Sequence, residues 1–210
     1  MYFHPSVYER LKKKRSVFGL FLDRLFFPLI VLMPDKVCLK LGLTPVDEER
    51  IIKVQEHITG RFLDIGCGTN IFVKAGGNGI GIDVHPWEGA DIVVKDTGKL
   101  DFPDNDFDSV LIVAALNHIP ERESTLREAY RVLKPGGKII LTMLTPFVSY
   151  ITHKIRYIYD SDQFERGMTD GEVWGIKKKD MYRLLSAAGF SGIFSEGFVY
   201  NLNRIYIGYK

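Results

Sequence analysis

Short hydrophobic runs separated by turn signals fill the chain from Arg61 onward. Within each run the residues stay apolar instead of alternating with polar ones, which is typical of strands that are covered on both faces of a sheet. These runs predict buried strands at Arg61–Ile65, Gly79–Asp83, Asp91–Val94, Asp108–Val113 and Lys138–Met143.

Helices are predicted around these strands. One runs from Glu121 to Leu133 and is ended by Pro135-Gly136-Gly137, and another runs from Lys177 to Ala188. A helix before the first strand is predicted from Asp47 to Thr59, because the acidic residues at its start suit the positive end of a helix dipole.

The order of these elements predicts the fold. Strands that alternate with helices indicate a doubly wound, Rossmann-like α/β sheet. Two more strands are expected near Ile193–Gly197 and Arg204–Tyr209, and the short link between them suits an antiparallel hairpin. We therefore divide the chain into a helical N-terminal arm, residues 1–45, and an α/β domain, residues 46–210.

The N-terminal arm combines a basic cluster, Lys12–Arg15, with an apolar stretch, Phe18–Met33, that Asp23 and Arg24 interrupt. The uninterrupted part is much shorter than the about 20 apolar residues that span a bilayer, so we expect no membrane-spanning helix. No small-residue cleavage site follows, so no signal peptide is expected either, and the sequence predicts a cytoplasmic protein.

Two interpretations of the arm stay open. We expect it to be helical in two pieces, broken at Pro28 and Pro34. One interpretation is that it packs against its own domain, which we favour. The other is peripheral contact with a membrane through residues 10–34, because a basic cluster beside an apolar face is typical of membrane-surface helices.

Composition excludes several ligands. The chain has 28 Lys and Arg against 26 Asp and Glu, a formal net charge of +2, whereas nucleic-acid-binding proteins usually have a much larger basic excess. Its two cysteines, Cys38 and Cys67, exclude a disulfide scaffold and a four-cysteine metal site, and its histidines lack metal-ligand spacing. We therefore expect neither nucleic acid nor a metal as a ligand.

The first predicted strand runs into a glycine loop, Gly66-Cys67-Gly68, after which a helix is expected to start near Asn70. Glycines at such a bend let a ligand approach the backbone N–H groups, and Asp83, at the end of the next strand, is suited to bind two ribose hydroxyls. A loop that binds a pyrophosphate would have a third glycine at the position of Ile71, and the Asp64 carboxylate would repel the pyrophosphate. A positively charged nucleoside fits better.

The chain contains six motifs, in this order: Leu63–Thr69, Gly79–Asp83, Asp96–Asp108, Ala115–Ile119, Glu128–Lys138 and Leu184–Phe190. Together they resemble the class I S-adenosylmethionine-dependent methyltransferases, most closely their small-molecule, UbiE-like branch. The resemblance covers about residues 60–145 and 178–210. It departs at Asn70, where the family usually has glycine, although Asn tolerates a positive φ better than most residues.

The resemblance implies a seven-stranded, mostly parallel sheet and S-adenosylmethionine as cofactor. It implies that the loop backbone holds the methionine part of the cofactor, that Asp83 binds its ribose and that Asp96 meets its adenine amino group. Asp64 is expected to anchor the loop and face the cofactor's amino group. The cofactor-binding residues predicted in this way are Asp64, Gly66, Cys67, Gly68, Thr69, Asp83, Val84, Asp96, Thr97, Ala115 and Leu116.

Methyl transfer depends mainly on alignment, because the sulfonium methyl is already electrophilic. Holding the nucleophile, carbon and sulfur in line can supply about 7–11 kcal/mol of the barrier. His118 is the candidate general base for an acceptor that must lose a proton, and Asn117 is the candidate for orienting that acceptor. The alternative is that His118 only packs or caps beside the cofactor.

An insertion after the fifth strand, residues 146–176, is not needed by the sheet. Segments at the carboxyl ends of strands cover the active site in open α/β sheets, so we interpret it as a lid over a small apolar or aromatic acceptor. The alternative is a satellite core over a long loop. Its aromatic residues are Phe147, Tyr150, Tyr157, Tyr159, Phe164 and Trp174.

Three functions stay open at this point. The first is methyl transfer from S-adenosylmethionine to a small molecule, and the second is a catalytically silent protein that binds S-adenosylmethionine as a regulator. The third is a nicotinamide-dependent oxidoreductase, against which Asp64 and the missing third glycine argue. The sequence does not separate the first two, because catalysis by alignment needs no particular catalytic residue.

Overall fold

The computed structural model describes residues 16–30, 33–147, 149–150, 170–199 and 201–210. Within these ranges the α-helices are α1 (Val17–Leu25), α2 (Phe27–Ile30), α3 (Asp35–Lys40), α4 (Val46–Gln55), α5 (Ile71–Lys74), α6 (Arg122–Val132) and α7 (Lys178–Ala187). A single 3-10 turn is described at Leu116–His118. The strands are β1 (Phe62–Ile65), β2 (Gly79–Asp83), β3 (Ile92–Val93), β4 (Phe107–Val113), β5 (Leu133–Leu144), β6 (Ser191–Phe198) and β7 (Asn203–Tyr209).

The strands form one seven-stranded sheet in the order β3-β2-β1-β4-β5-β7-β6. All neighbouring pairs are parallel except those of β7, which is antiparallel to both β5 and β6. The sequence-based α/β prediction is therefore confirmed, including the C-terminal hairpin. The strand order reverses between β1 and β4, and in such sheets ligands bind in the crevice at the carboxyl ends of those strands.

Successive residues of the central strands supply two hydrophobic cores, one on each face of the sheet. Val110 and Ile112 of β4 pack in the larger core, which also contains residues of α6 and α7. Leu111, between them, packs in the smaller core with residues of α4 and α5. Both faces of the central sheet are thus covered, which explains why the strand sequences lack polar alternation.

Two predicted boundaries differ from the structure by four residues or more. The helix predicted to reach Thr59 ends at Gln55, because the Thr59 amide N–H donates to the Ser109 hydroxyl, 3.1 Å away, at the start of the sheet. The fifth strand begins at Leu133, directly after α6, and not at Lys138. Leu133 already pairs with Phe107, and the register shifts before the next pair, so the Pro-Gly-Gly sequence lies within an irregular strand.

The described part of the N-terminal arm forms three short helices. The chain breaks at Phe26 rather than at Pro28, which lies in the first turn of α2, where its missing N–H costs no hydrogen bond. Pro34 does separate two helices, since it is the N-cap of α3. Asp23 of α1 is buried and accepts hydrogen bonds from the amide and hydroxyl of Thr44, each 2.7 Å long.

None of the helices in the described ranges has both the length and the apolar character needed to cross a bilayer. Aspartates, glutamates, histidines and cysteines that the structure describes also form no group suited to hold a metal ion.

Candidate active site

The glycine loop lies at the carboxyl end of β1, beside the end of β4. The amides of Gly66 and Cys67 both donate to the Ile82 carbonyl, at 2.9 and 3.0 Å. Gly66 and Gly68 have φ of 73° and 52°, a left-handed region that costs side-chain-bearing residues energy. A Cβ at Gly66 would lie 2.6 Å from that of Ala115, so only glycine fits there.

Asp83 lies across from this loop at the end of β2. Its Oδ2 accepts the Gly68 N–H at 3.0 Å, and its Oδ1 accepts the His85 N–H at 3.0 Å. The two amides fix the carboxylate, yet each oxygen keeps a lone pair for a further donor. The structure therefore brings Asp83 and the glycine loop together, in an arrangement suited to a vicinal pair of hydroxyls.

Asp64 is the most unusual group at this site. It is 2% exposed, and its Oδ1 has no hydrogen-bond partner among the described residues. Burial, with a smaller contribution from the charge of Asp83, raises the pKa of Asp64 to about 8. A buried acid with an unpartnered oxygen is costly, so the site is suited to a ligand that brings a positive charge and a hydrogen-bond donor.

Asn70 replaces the usual glycine without disturbing the loop. Its φ is 57°, as the sequence analysis expected an asparagine to tolerate. Its side-chain amide donates to Asp91 Oδ2 at 2.7 Å, and the same oxygen accepts the Gly81 N–H at 2.8 Å. The side chain therefore ties the loop to the segment between β2 and β3, an interaction that a glycine could not make.

The 3-10 turn after β4 carries the residues predicted to act on the acceptor. Ala115 contacts the glycine loop, whereas the Leu116 side chain is fully buried and packs in the larger core. Asn117 is 5% exposed, and its carbonyl accepts the Val173 N–H at 3.0 Å. Nδ1 of His118 lies 2.8 Å from the Oε2 of Glu172.

Glu172 is a functional candidate that the sequence analysis missed. It belongs to the end of the insertion and lies far from His118 in the chain, and no spacing or motif links the two residues. Its side chain has no exposed surface. The chain reversal that precedes it, with Gly171 at φ 89°, is the only local signal, and it indicates a turn rather than a site.

The remaining predicted cofactor residues differ in how far they face the site. The Thr97 hydroxyl lies 2.8 Å from that of Thr125 on α6, so this side chain is turned into the protein. Asp96 is exposed, and its Oδ1 accepts the Gly98 N–H at 2.7 Å. Val84 is 51% exposed. Thr69, the last loop residue, is half-buried.

Cys67 of the glycine loop is buried, and burial, followed by the charges of Asp64 and nearby aspartates, raises the pKa of its thiol far above the ordinary value. A thiol that resists ionisation is a poor nucleophile, which agrees with a packing role.

A cavity of about 610 Å³ begins at Pro120, two residues after His118. Its described walls are the start of α6, the start of α7 and the end of the insertion, where Val173 and Ile176 supply apolar surface. Its volume is in the range of small-molecule sites.

Comparison with known proteins agrees with this geometry. Residues 63–141 match the methyltransferase domain family. A demethylmenaquinone methyltransferase from Staphylococcus saprophyticus is 29% identical over 197 residues, which cover 77% of this chain and 84% of the relative. These similarities support a class I S-adenosylmethionine-dependent methyltransferase.

Solved structures support the same fold for this methyltransferase. A crystal structure described as an S-adenosylmethionine-dependent methyltransferase from Thermotoga maritima has a TM-score of 0.61 and 19% identity, and covers 98% of this chain and 99% of that one. The 4+2 cyclase SpnF has a TM-score of 0.54 and 19% identity, and covers 77% of this chain and 78% of that one. Because that protein is named for a cyclisation, the fold alone does not define the reaction.

The curated relatives match this methyltransferase over different shares of their length. Beyond the Staphylococcus protein, the next relatives are covered over only 23% to 55% of their own length.

S-adenosylmethionine is the cofactor of this methyltransferase, and the residues fit it. Its ammonium group would supply the charge and the donors that the buried Asp64 carboxyl lacks. Its ribose would meet Asp83, and the space beside Gly68, where no atom lies within 4 Å of a Cβ position, leaves room for the methionine part.

The raised pKa of Asp64 predicts a proton release on cofactor binding. In the free protein the carboxyl keeps its proton below about pH 8, whereas the cofactor ammonium favours the ionised form. The affinity for S-adenosylmethionine should therefore rise with pH up to about 8. At pH 7, calorimetry in two buffers of different ionisation enthalpy should detect release of close to one proton.

The demethylated product, S-adenosylhomocysteine, is the control for this release, because it keeps the ammonium but lacks the sulfonium charge. Binding of S-adenosylhomocysteine should release a similar number of protons. Equal apparent enthalpies in the two buffers would show that Asp64 does not ionise on binding.

Proposed function

We propose that this methyltransferase transfers its methyl group to a small apolar or aromatic acceptor, of the hydroquinone or phenol class. The observation that carries the proposal is the aromatic surface at the ends of the insertion. Tyr150 and Trp174 pack edge to face with ring centroids 5.8 Å apart, and Phe147 is 73% exposed. The name of the Staphylococcus relative, a demethylmenaquinone methyltransferase, supports a quinone-like ring as acceptor.

The insertion, residues 146–176, acts as the lid of this site. Its last residues dock on the turn that carries Asn117 and His118, through the Val173 amide and the contact between Glu172 and His118. Tyr157, Tyr159 and Phe164, which the sequence analysis also assigned to the lid, lie outside the described residues.

His118 acts as the general base of the proposed reaction, and Asn117 orients the acceptor. The bound cofactor supplies an electrophilic methyl group. An acceptor hydroxyl is a poor nucleophile until it loses its proton, and a positioned imidazole that takes this proton accelerates such steps by about 10²–10⁴-fold.

A methyl-transfer screen tests the proposal. The protein is incubated with S-adenosylmethionine and, separately, with hydroquinones bearing short prenyl tails, phenols, amines and thiols, and the demethylated cofactor is quantified. Turnover of hydroquinones or phenols is the expected result. Preferential turnover of amines or thiols would overturn the assigned acceptor class, and tight cofactor binding without any turnover would favour the silent regulator.

We further propose that the arm docks on an anionic membrane surface. In helix α1 the buried residue is Asp23, whereas most of the large apolar residues, other than Leu22, are exposed. Val17 is 86% exposed, Phe18 69% and Phe21 59%. An apolar face of this kind is typical of helices that lie in a membrane interface.

Charge supports an anionic lipid as the occupant of this face. Lys12, Lys13, Lys14 and Arg15 precede α1 directly, and basic residues near a membrane contribute about 1 kcal/mol each through attraction to anionic headgroups. A membrane location would also bring the enzyme to an acceptor with a lipid tail.

Vesicle sedimentation tests the docking surface. The intact protein should sediment with phosphatidylglycerol-containing vesicles and much less with pure phosphatidylcholine. Phe18→Ser with Phe21→Ser should abolish the binding, whereas Phe194→Ser, which alters a half-exposed aromatic residue of β6, should not. Loss of a dimer in the double variant, with no vesicle binding by the intact protein, would assign the face to a second copy instead.

A further inference from the structure

The end of the insertion brings a buried carboxylate to the imidazole of the proposed base. His118 Nδ1 and Glu172 Oε2 are 2.8 Å apart. The Glu172 side chain has no exposed surface, whereas 21% of the His118 side chain is exposed. The carboxyl group is therefore shielded from solvent, whereas part of the imidazole ring stays accessible.

Several contacts fix this acid in place. The Val173 amide donates to the Asn117 carbonyl at 3.0 Å. Nη2 of Arg122 donates to the carbonyl of Gly171 at 2.6 Å and to that of Asn117 at 3.2 Å. Arg122 also interacts electrostatically with Glu172. The pair is thus held by residues on both sides of it.

The contact decides which nitrogen of the ring carries the proton. A carboxylate can only accept, so Nδ1 must donate, and the lone pair of the neutral ring is then on Nε2. An imidazole held in this way is oriented by one nitrogen and can act as a base through the other. The same carboxylate stabilises the imidazolium ion that forms when Nε2 takes a proton.

We propose that Glu172 is a positioning residue that holds His118 as the Nδ1–H tautomer for proton abstraction from the acceptor. This rests on the proposed function, in which the acceptor loses a proton. The acceptor O–H proton passes to Nε2, and the electron pair that it leaves forms the bond to the methyl carbon, directly from oxygen or through the ring carbon. The carbon–sulfur bond breaks, and its electron pair stays on sulfur. Where a ring carbon is methylated, the proton on that carbon passes afterwards to solvent water, which restores the aromatic ring.

The first test measures the tautomer itself and needs no acceptor. Nitrogen-15 NMR of the histidine rings in the full protein should show His118, identified from the missing signal in His118→Gln, as the Nδ1–H form. In Glu172→Gln the amide can donate as well as accept, so the tautomer preference should weaken. An Nε2–H form in the unaltered protein would overturn the proposal.

The second test separates positioning from structure by steady-state kinetics with the acceptor found in the screen. Glu172→Gln should lower kcat about 100-fold and change KM less than about threefold, because a base of the wrong tautomer loses most of its effect. His118→Gln should lower kcat by a similar factor, and the double variant should lower it little further, because the two residues act as a unit. Glu172→Asp, which keeps the charge, should recover part of the loss.

Gly171→Ala is the structural control. Its Cβ would lie 2.9 Å from Pro120 at φ 89°, so it strains the docked segment without altering either side chain of the pair. If Glu172→Gln raised KM and lowered thermal stability as Gly171→Ala is expected to, the acid would only anchor the lid. A screen without any turnover would contradict the proposed function, whereas the NMR result would still decide the tautomer.

Discussion

Asp64→Asn should weaken the binding of S-adenosylmethionine about 100-fold while making the free protein more stable. The buried carboxyl has an oxygen without a described partner, and the cofactor ammonium is the group that would satisfy it. Removing one partner of a buried charged hydrogen bond typically costs 2–5 kcal/mol, and about 1.4 kcal/mol corresponds to a tenfold change. Calorimetric titration measures the loss of affinity.

The stability gain has a defined pH dependence. The pKa of Asp64 is raised to about 8, so between about pH 4 and 8 the folded protein holds a proton that the unfolded chain releases. Its contribution to stability is thus greatest below pH 4 and decreases as the pH rises towards 8. Asn cannot ionise, so the variant should melt at a higher temperature at pH 8 and at nearly the same temperature at pH 4.

Asp101→Asn is the matched control for Asp64→Asn, because it makes the same replacement of an ionisable carboxyl by an amide at an exposed position in the loop before β4. It should change neither the melting temperature at pH 8 nor the cofactor affinity appreciably. Unchanged cofactor binding in Asp64→Asn would show that this carboxyl does not contact the ammonium.

The sheet was predictable because its strands carry their own signals. β2 was predicted with both ends correct, since a buried apolar run is bounded by glycine on one side and by Asp83 on the other. β5 was predicted to start too late, because Pro135-Gly136-Gly137 is a turn signal in sequence. In the folded protein, pairing of Leu133 with Phe107 continues the strand through it.

The candidate site was predictable only where its parts are close to a motif. Asp64, the glycine loop and Asp83 come together as the loop sequence indicated. The contact between His118 and Glu172 depends on how a long insertion returns to the sheet, and local patterns contain no information about that path. The burial of Asp23 was missed for the same reason, because Thr44 lies on another element.

Gly66→Ala should destabilise the protein and abolish measurable cofactor binding. The new Cβ would lie 2.6 Å from that of Ala115, and alanine at φ 73° costs about 1–2 kcal/mol before any collision. Neither atom can move freely, since Gly66 is bound to β2 and Ala115 adjoins the end of β4. Thermal melting with and without S-adenosylmethionine measures both effects.

Two further variants separate the collision at Gly66 from the backbone strain. Gly68→Ala has φ of 52° and no atom within 4 Å of its Cβ, so its loss of stability reports strain alone. Gly66→Ala combined with Ala115→Gly removes the collision. Its loss of stability should therefore fall to about that of Gly68→Ala, and cofactor binding should recover in part. If Gly66→Ala bound S-adenosylmethionine as tightly as the unaltered protein, the loop would not be the site of the cofactor. The collision would then be only a packing constraint between β1 and β4.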